Sequence, residues 1–227
     1  MDQRYNEMNL RNVWHKRKLF TNNDLGAGRC LAAYALGKWT LYPQFLEVSQ
    51  RLKEILGDCI CMYNPNPTKE EGLLHQTLLQ FVRFYCREYA PDSLERSSKE
   101  VATILEAYSH NYTIEYTGLV WTPTGIALSG YSPSEQTIIH LRDEIEKTLG
   151  EKCLPCEIPY KNDILHATFF RWIKQPSESQ LRLLEVEVEN NKNTRFGRIE
   201  IKGWLVGEGS WRMQDDERKD LYIIYSC

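Results

Sequence analysis

What this chain lacks narrows its function before any motif is read. No stretch approaches the roughly 18–20 apolar residues of a membrane helix, so no spanning segment is expected. The opening residues Met1-Asp2-Gln3-Arg4-Tyr5 hold no apolar signal core, and export is not expected. Basic charge is not in excess: 28 Lys and Arg stand against 31 Asp and Glu, for a net charge of −3. That balance gives no global positive field for gripping long duplex nucleic acid, and suits a small nucleotide or an RNA end better. A glycine-rich phosphate loop is missing too, since Gly26-Ala27-Gly28 carries none of the remaining fingerprint. The seven cysteines are odd in number and, without an export signal, read as reduced thiols in a cytoplasmic setting.

What is present is an ordinary globular composition, 42% hydrophobic and 26% charged over 227 residues. Residues 1–27 read as a polar N-terminal extension around the solvated basic cluster His15-Lys16-Arg17-Lys18, and 28–227 as one domain of two lobes. A buried strand is expected at Cys30–Leu36. The helical spacing of Phe45, Leu46, Val48, Leu52, Ile55 and Leu56 predicts a helix from Pro43, with Gly57 as its C-cap. Asn64-Pro65-Asn66-Pro67 is a loop. Further helices are expected at 96–109, 134–149 and 177–189, and strands at 112–120, 125–131, 198–206 and 221–225. Alternating strands and helices with short connections point to α+β or α/β packing.

Two segments repeat one arrangement: Leu73-Leu74-His75-Gln76-Thr77-Leu78-Leu79 and Ile164-Leu165-His166-Ala167-Thr168-Phe169-Phe170. Each sets His, one spacer and Thr in an apolar run. On a strand, residues two apart share a face, so each segment presents an imidazole beside a hydroxyl. The order strand, helix, His-x-Thr strand occurs twice, roughly over 30–81 and 112–172, which puts one motif in each half of the chain. Two imidazoles with pKa near 6.5 can deprotonate a nucleophile and protonate a leaving oxygen at neutral pH. Lacking carboxylates at ligand spacing, they make a poor zinc site, and neither metal nor cofactor is expected.

The paired motifs resemble those of the two-histidine phosphoesterase superfamily, the LigT-like cyclic phosphodiesterases, over roughly residues 28–227. The resemblance implies an α+β fold in which two pseudo-symmetric lobes form a concave antiparallel groove. It implies His75 and His166 as the acid–base pair, and Thr77 and Thr168 as hydrogen-bond donors to the phosphate oxygens. It further implies metal-independent hydrolysis of a small phosphodiester: a 2′-5′ oligoadenylate, a cyclic dinucleotide such as cGAMP, or an RNA 2′,3′-cyclic phosphate. Members acting on the first two blunt nucleotide second-messenger immunity. The alternative is a module of the same fold that binds nucleotide or RNA without turnover.

Strand parity assigns Phe170 and Trp172 to the face of His166 and Thr168, and sends Arg171 to the opposite one. Trp172 and Tyr160 are therefore the expected base-contacting residues, with Trp121 and the strip Gly207–Arg212 as lesser candidates. Cys153-Leu154-Pro155-Cys156 follows a helix rather than opening one, which argues against a redox motif, and a zinc site shared with Cys59 and Cys61 is not expected. His140 and His110 read as solvated or capping residues. A monomer without membrane contact is the simplest expectation.

Overall fold

The computed structural model describes residues 29–83, 89–108, 111–122, 124–156, 164–210, 213 and 219–225. Among these residues nine strands and four α-helices follow in the order β1 (Arg29–Leu41), α1 (Pro43–Leu56), β2 (Ile60–Asn64), β3 (Gly72–Leu73), β4 (Thr77–Arg83), α2 (Pro91–Glu106), β5 (Tyr112–Thr122), β6 (Gly125–Tyr131), α3 (Glu135–Glu151), β7 (Leu165–Trp172), α4 (Glu178–Asn190), β8 (Arg195–Ser210) and β9 (Lys219–Tyr225). The fold is α+β, as expected. Among the described residues no helix is long and apolar enough to cross a membrane. The extension at 1–27 lies outside the described residues.

The helices form where local chemistry dictates. Pro43 opens α1 after an extended Tyr42, and Phe45, Val48, Leu52 and Leu56 are buried along one stripe. Gly57 closes it at φ +54°, a left-handed conformation that glycine enters without the clash a Cβ would bring. Pro91 at the first helical position starts α2 five residues before the expected 96, because the proline supplies the helical φ and lacks only an N–H that would go unbonded there. Ser177 and Gln180 form a reciprocal capping box at the start of α4.

One sheet runs in the order β3-β2-β7-β6-β5-β8-β1-β4, with β9 also beside β8. All pairings are antiparallel except β2 with β3. The 16-residue β8 spans both lobes: β1 lies along one edge, and β5 followed by β9 along the other. The sheet then curls, since Gln76, just before β4, forms an antiparallel bridge to Ala167 in the middle of β7. Helices α1 and α4 cover one part of the sheet, packing on β2, β8 and β5. Helices α2 and α3 cover the other, packing on β4, β8 and β9.

The lobes do not coincide with the two sequence halves, which corrects the expected division. Helix α1 precedes the first motif but packs behind the second, with the Phe45 ring 5.0 Å from that of Phe169 on β7. Helix α3 precedes the second motif but packs against β4, which carries the first. The cause is β2, a strand additional to the expected set. It leaves α1 and pairs Ile60–Met62 with Phe170–Trp172 of β7, so the chain enters the second motif's lobe before returning through β3 to the first. Each motif is thus backed by the helix that precedes the other.

Candidate active site

The first motif is not one continuous strand over 72–81. Strand β3 ends at Leu73, the chain kinks through Leu74 and His75, and β4 begins at Thr77. The kink is held from both sides: Leu74 N–H donates to the Asn64 carbonyl at 2.8 Å, and Ala35 N–H to the Gln76 carbonyl at 2.8 Å. Gln76 itself is 1% exposed. Its Nε2 donates to the Thr77 carbonyl at 2.7 Å, and its Oε1 accepts from the buried Tyr116 hydroxyl at 2.7 Å. Trp39 stacks on Tyr116 with centroids 5.1 Å apart. The motif's spacer therefore points into the core while His75 and Thr77 face out. Gln76→Leu would take from the Tyr116 hydroxyl its buried acceptor, and is expected to cost about 1–3 kcal/mol. Urea unfolding of the two proteins measures this, and an unchanged midpoint would deny the network that role.

The bridge between Gln76 and Ala167 brings the two motifs together. Antiparallel pairing at the two spacers sets His75 opposite Thr168 and Thr77 opposite His166. All four line one pocket, walled also by Tyr34 and Cys30 of β1. His75 is enclosed by aromatic rings, Tyr34 edge-on at 5.7 Å and Tyr63 tilted at 6.1 Å. Its Nδ1 lies 2.7 Å from the Leu73 carbonyl. A carbonyl can only accept, so Nδ1 carries a proton and the lone pair of the neutral ring is on Nε2.

Both motifs are followed by a bulge at the same place. On β4 the partners of Tyr34 and Ala33 are Thr77 and Leu79, which leaves Leu78 extra. On β7 the partners of Ala127 and Ile126 are Thr168 and Phe170, which leaves Phe169 extra. An inserted residue reverses the alternation beyond it. Gln80 and Arg171, each three residues after its Thr, thus return to the pocket.

This corrects two expectations on the second strand. Arg171, assigned by parity to the opposite face, lines the groove. Its Nε donates to the Tyr63 hydroxyl at 3.1 Å and its Nη1 to Thr124 Oγ1 at 2.9 Å. Trp172, expected to stack on a base, is 1% exposed and packs edge-on against Phe170 in the core. Trp121 is likewise buried in the core at 2% exposure. Tyr160 lies outside the described residues, as do Trp211, Arg212, His15 and His110. Of the candidate strip 207–212, Gly207–Ser210 belong to β8. His140 is exposed on α3.

A second guanidinium enters from α3. Arg142 is 4% exposed and lines the same pocket. Its Nε donates to the Leu78 carbonyl at 2.6 Å and its Nη1 to the Ile164 carbonyl at 2.8 Å. Burial, followed by the charges of Arg142, Arg171 and His75, pushes the His166 imidazole down to about 4 from the ordinary 6.5. Its Nδ1 is buried without a hydrogen-bond partner among the described residues. A pH–rate profile with both limbs near neutrality, the natural expectation for two ordinary imidazoles, therefore does not fit His166.

Sequence parity misses Arg171 because nothing in the residues announces the bulge. Arg142 did leave a signal: it sits at i+4 from Ile138 and three before Ile145, inside the buried stripe of α3. Cys59 and Cys61 are buried thiols facing the Gln175 and Glu70 carbonyls, while Cys153 is exposed. Among the described residues no three His, Cys, Asp or Glu gather as a metal-binding group.

No protein-family model and no curated protein matches the chain. Among solved structures it is similar to TT0787 of Thermus thermophilus, with 16% identity over 87% of this chain and 97% of that one, at a TM-score of 0.49. It is also similar to Kluyveromyces marxianus Usb1, with 10% identity over 86% of this chain and 96% of that one, at a TM-score of 0.45. At such values the fold and the site stand on this chain's own geometry.

Proposed function

We propose that the chain is a metal-independent phosphodiesterase of the two-histidine type, acting on a small nucleotide. One observation carries the reading: the Gln76–Ala167 bridge places both His-x-Thr motifs in a single groove. A phosphodiester there meets one imidazole to take a proton from the nucleophile and another to protonate the leaving oxygen. Thr77 and Thr168 donate to the non-bridging oxygens, and Arg171 offsets the charge that builds on them in the transition state. A polar pocket with Tyr34 in its wall suits a short or cyclic nucleotide rather than a long strand. The preferred substrates are accordingly 2′-5′ oligoadenylates, cyclic dinucleotides such as cGAMP and RNA 2′,3′-cyclic phosphates, handled by a monomer in the cytoplasm.

The test is a substrate panel: a 2′,3′-cyclic mononucleotide, 2′-5′ triadenylate and 2′,3′-cGAMP, each incubated with the protein and resolved by anion-exchange chromatography. A new product from at least one is expected, at a rate unchanged by EDTA. Binding of all three without product would mean a nucleotide-binding module instead.

A further inference from the structure

We propose that Arg142 is a positioning residue for the acid–base pair: it ties the two motif segments together from α3 and makes His166 the base and His75 the acid. The proposal rests on the phosphodiesterase reading and adds to it a residue outside both motifs and the direction of proton flow.

The tie is direct. Leu78, whose carbonyl accepts from Arg142 Nε, is the bulged residue immediately after Thr77. Ile164, whose carbonyl accepts from Nη1, lies two residues before His166. One rigid, planar side chain thus spans the segment leaving the first motif and the segment entering the second. Between these motifs the only backbone pairing described is the single bridge at Gln76 and Ala167. Strand β2 links the start of the first motif to β7, and Arg142 adds a direct side-chain tie on the far side of the bridge. The helix exchange makes this reach possible, because α3 leads into β7 yet packs against β4.

The same placement separates the two imidazoles chemically. The groups facing His166 are Arg142 from α3, Arg171 from its own strand, His75 from the kink before β4, and Tyr34 and Cys30 from β1. Ser129, its register partner on β6, is fully buried. No Asp or Glu is among the described residues that line the groove. Burial first, and then the two guanidiniums, disfavour an imidazolium at His166, and among the described residues its Nδ1 has no hydrogen-bond partner to stabilise one. His75 differs, because the Leu73 carbonyl accepts from its Nδ1, a bond that strengthens when the ring is charged. The neutral ring suits a base and the stabilised cation an acid. An anionic phosphate seated between the guanidiniums offsets their field, so His166 becomes more basic once substrate is bound.

The test uses the full chain, with the His75 and His166 ring signals followed by carbon–proton NMR from pH 3 to 9 and assigned through His75→Gln and His166→Gln. In the wild type, His166 is expected to titrate near 4. In Arg142→Gln it should titrate higher, the acid-side limb of kcat/KM should move to higher pH with it, and kcat should fall about 10²-fold from lost alignment. Arg142→Lys keeps the charge, so it should hold the His166 titration near the wild-type value and recover part of kcat, which a merely structural loss would not reproduce. Should Arg142→Gln fail to fold, the wild-type and Arg142→Lys titrations decide the matter alone. His166 titrating at or above 6.5 in the wild type, or unmoved in a folded Arg142→Gln, overturns the inference. If the NMR shifts appear as expected but no phosphodiester is turned over, the hydrolase reading fails and takes the roles of base and acid with it, while the effect of Arg142 on His166 stands.

Discussion

His75→Ala and His166→Ala should each lower kcat on a cleaved phosphodiester by about 10²–10⁴-fold, the range a positioned general acid or base supplies. In the proposed reaction each removes one half of a paired proton transfer, and neither Thr nor Arg171 can substitute, since a hydroxyl and a guanidinium hold their protons across the working pH range. The fold should survive both changes. His75 lies in a kink outside any strand, where its loss costs the hydrogen bond to the Leu73 carbonyl, and the buried His166 Nδ1 makes none among the described residues, so neither substitution breaks a strand ladder. Far-ultraviolet circular dichroism and steady-state rates on the same preparations check the pair of statements. Near-wild-type activity in either variant would remove that histidine from the chemistry.

Arg171→Met is expected to lower kcat by about 10²–10³-fold, the cost of deleting one preorganised charge-stabilising donor. The side chain is held by Tyr63 and Thr124 before any ligand arrives, so its orientation requires little ordering at the moment of reaction. Its removal also takes away one of the charges that depress His166, so the His166 pKa should rise. A base is active when unprotonated, and the acid-side limb of kcat/KM should accordingly move to higher pH. Arg171→Lys should restore part of kcat but not all, because an ammonium cannot reproduce the forked geometry. A Met variant with normal kcat would place Arg171 outside the reacting groups.

Much of this site was legible in the residues. Both His-x-Thr triplets, their apolar flanks and the alternation of strands and helices led to the groove and to four of its side chains. Period-2 reasoning held through each Thr and failed at the next residue, where Leu78 and Phe169 bulge. A bulge is set by how two strands meet, and Leu-Leu and Phe-Phe satisfy a regular strand equally well. The same failure misplaced Trp172 in the groove and Arg171 outside it. The helix exchange was hidden for a related reason: β2 belongs to a lobe its sequence neighbours do not, and only its pairing with β7 reveals that. Gln76 was legible as a spacer but not as a buried partner of Tyr116, since that contact joins residues 40 apart.

Under the proposed mechanism the two motifs form one composite catalytic centre rather than two separate ones. The most direct measurement is kcat for His75→Ala, His166→Ala and the double variant, on whichever phosphodiester of the panel turns over fastest. Residues acting as a unit in one proton transfer are strongly non-additive. The double variant should therefore be no slower than the slower single variant, within a few-fold. Losses that multiply, so that the double variant falls by the product of the two single effects, would show two independent contributions and contradict the composite site.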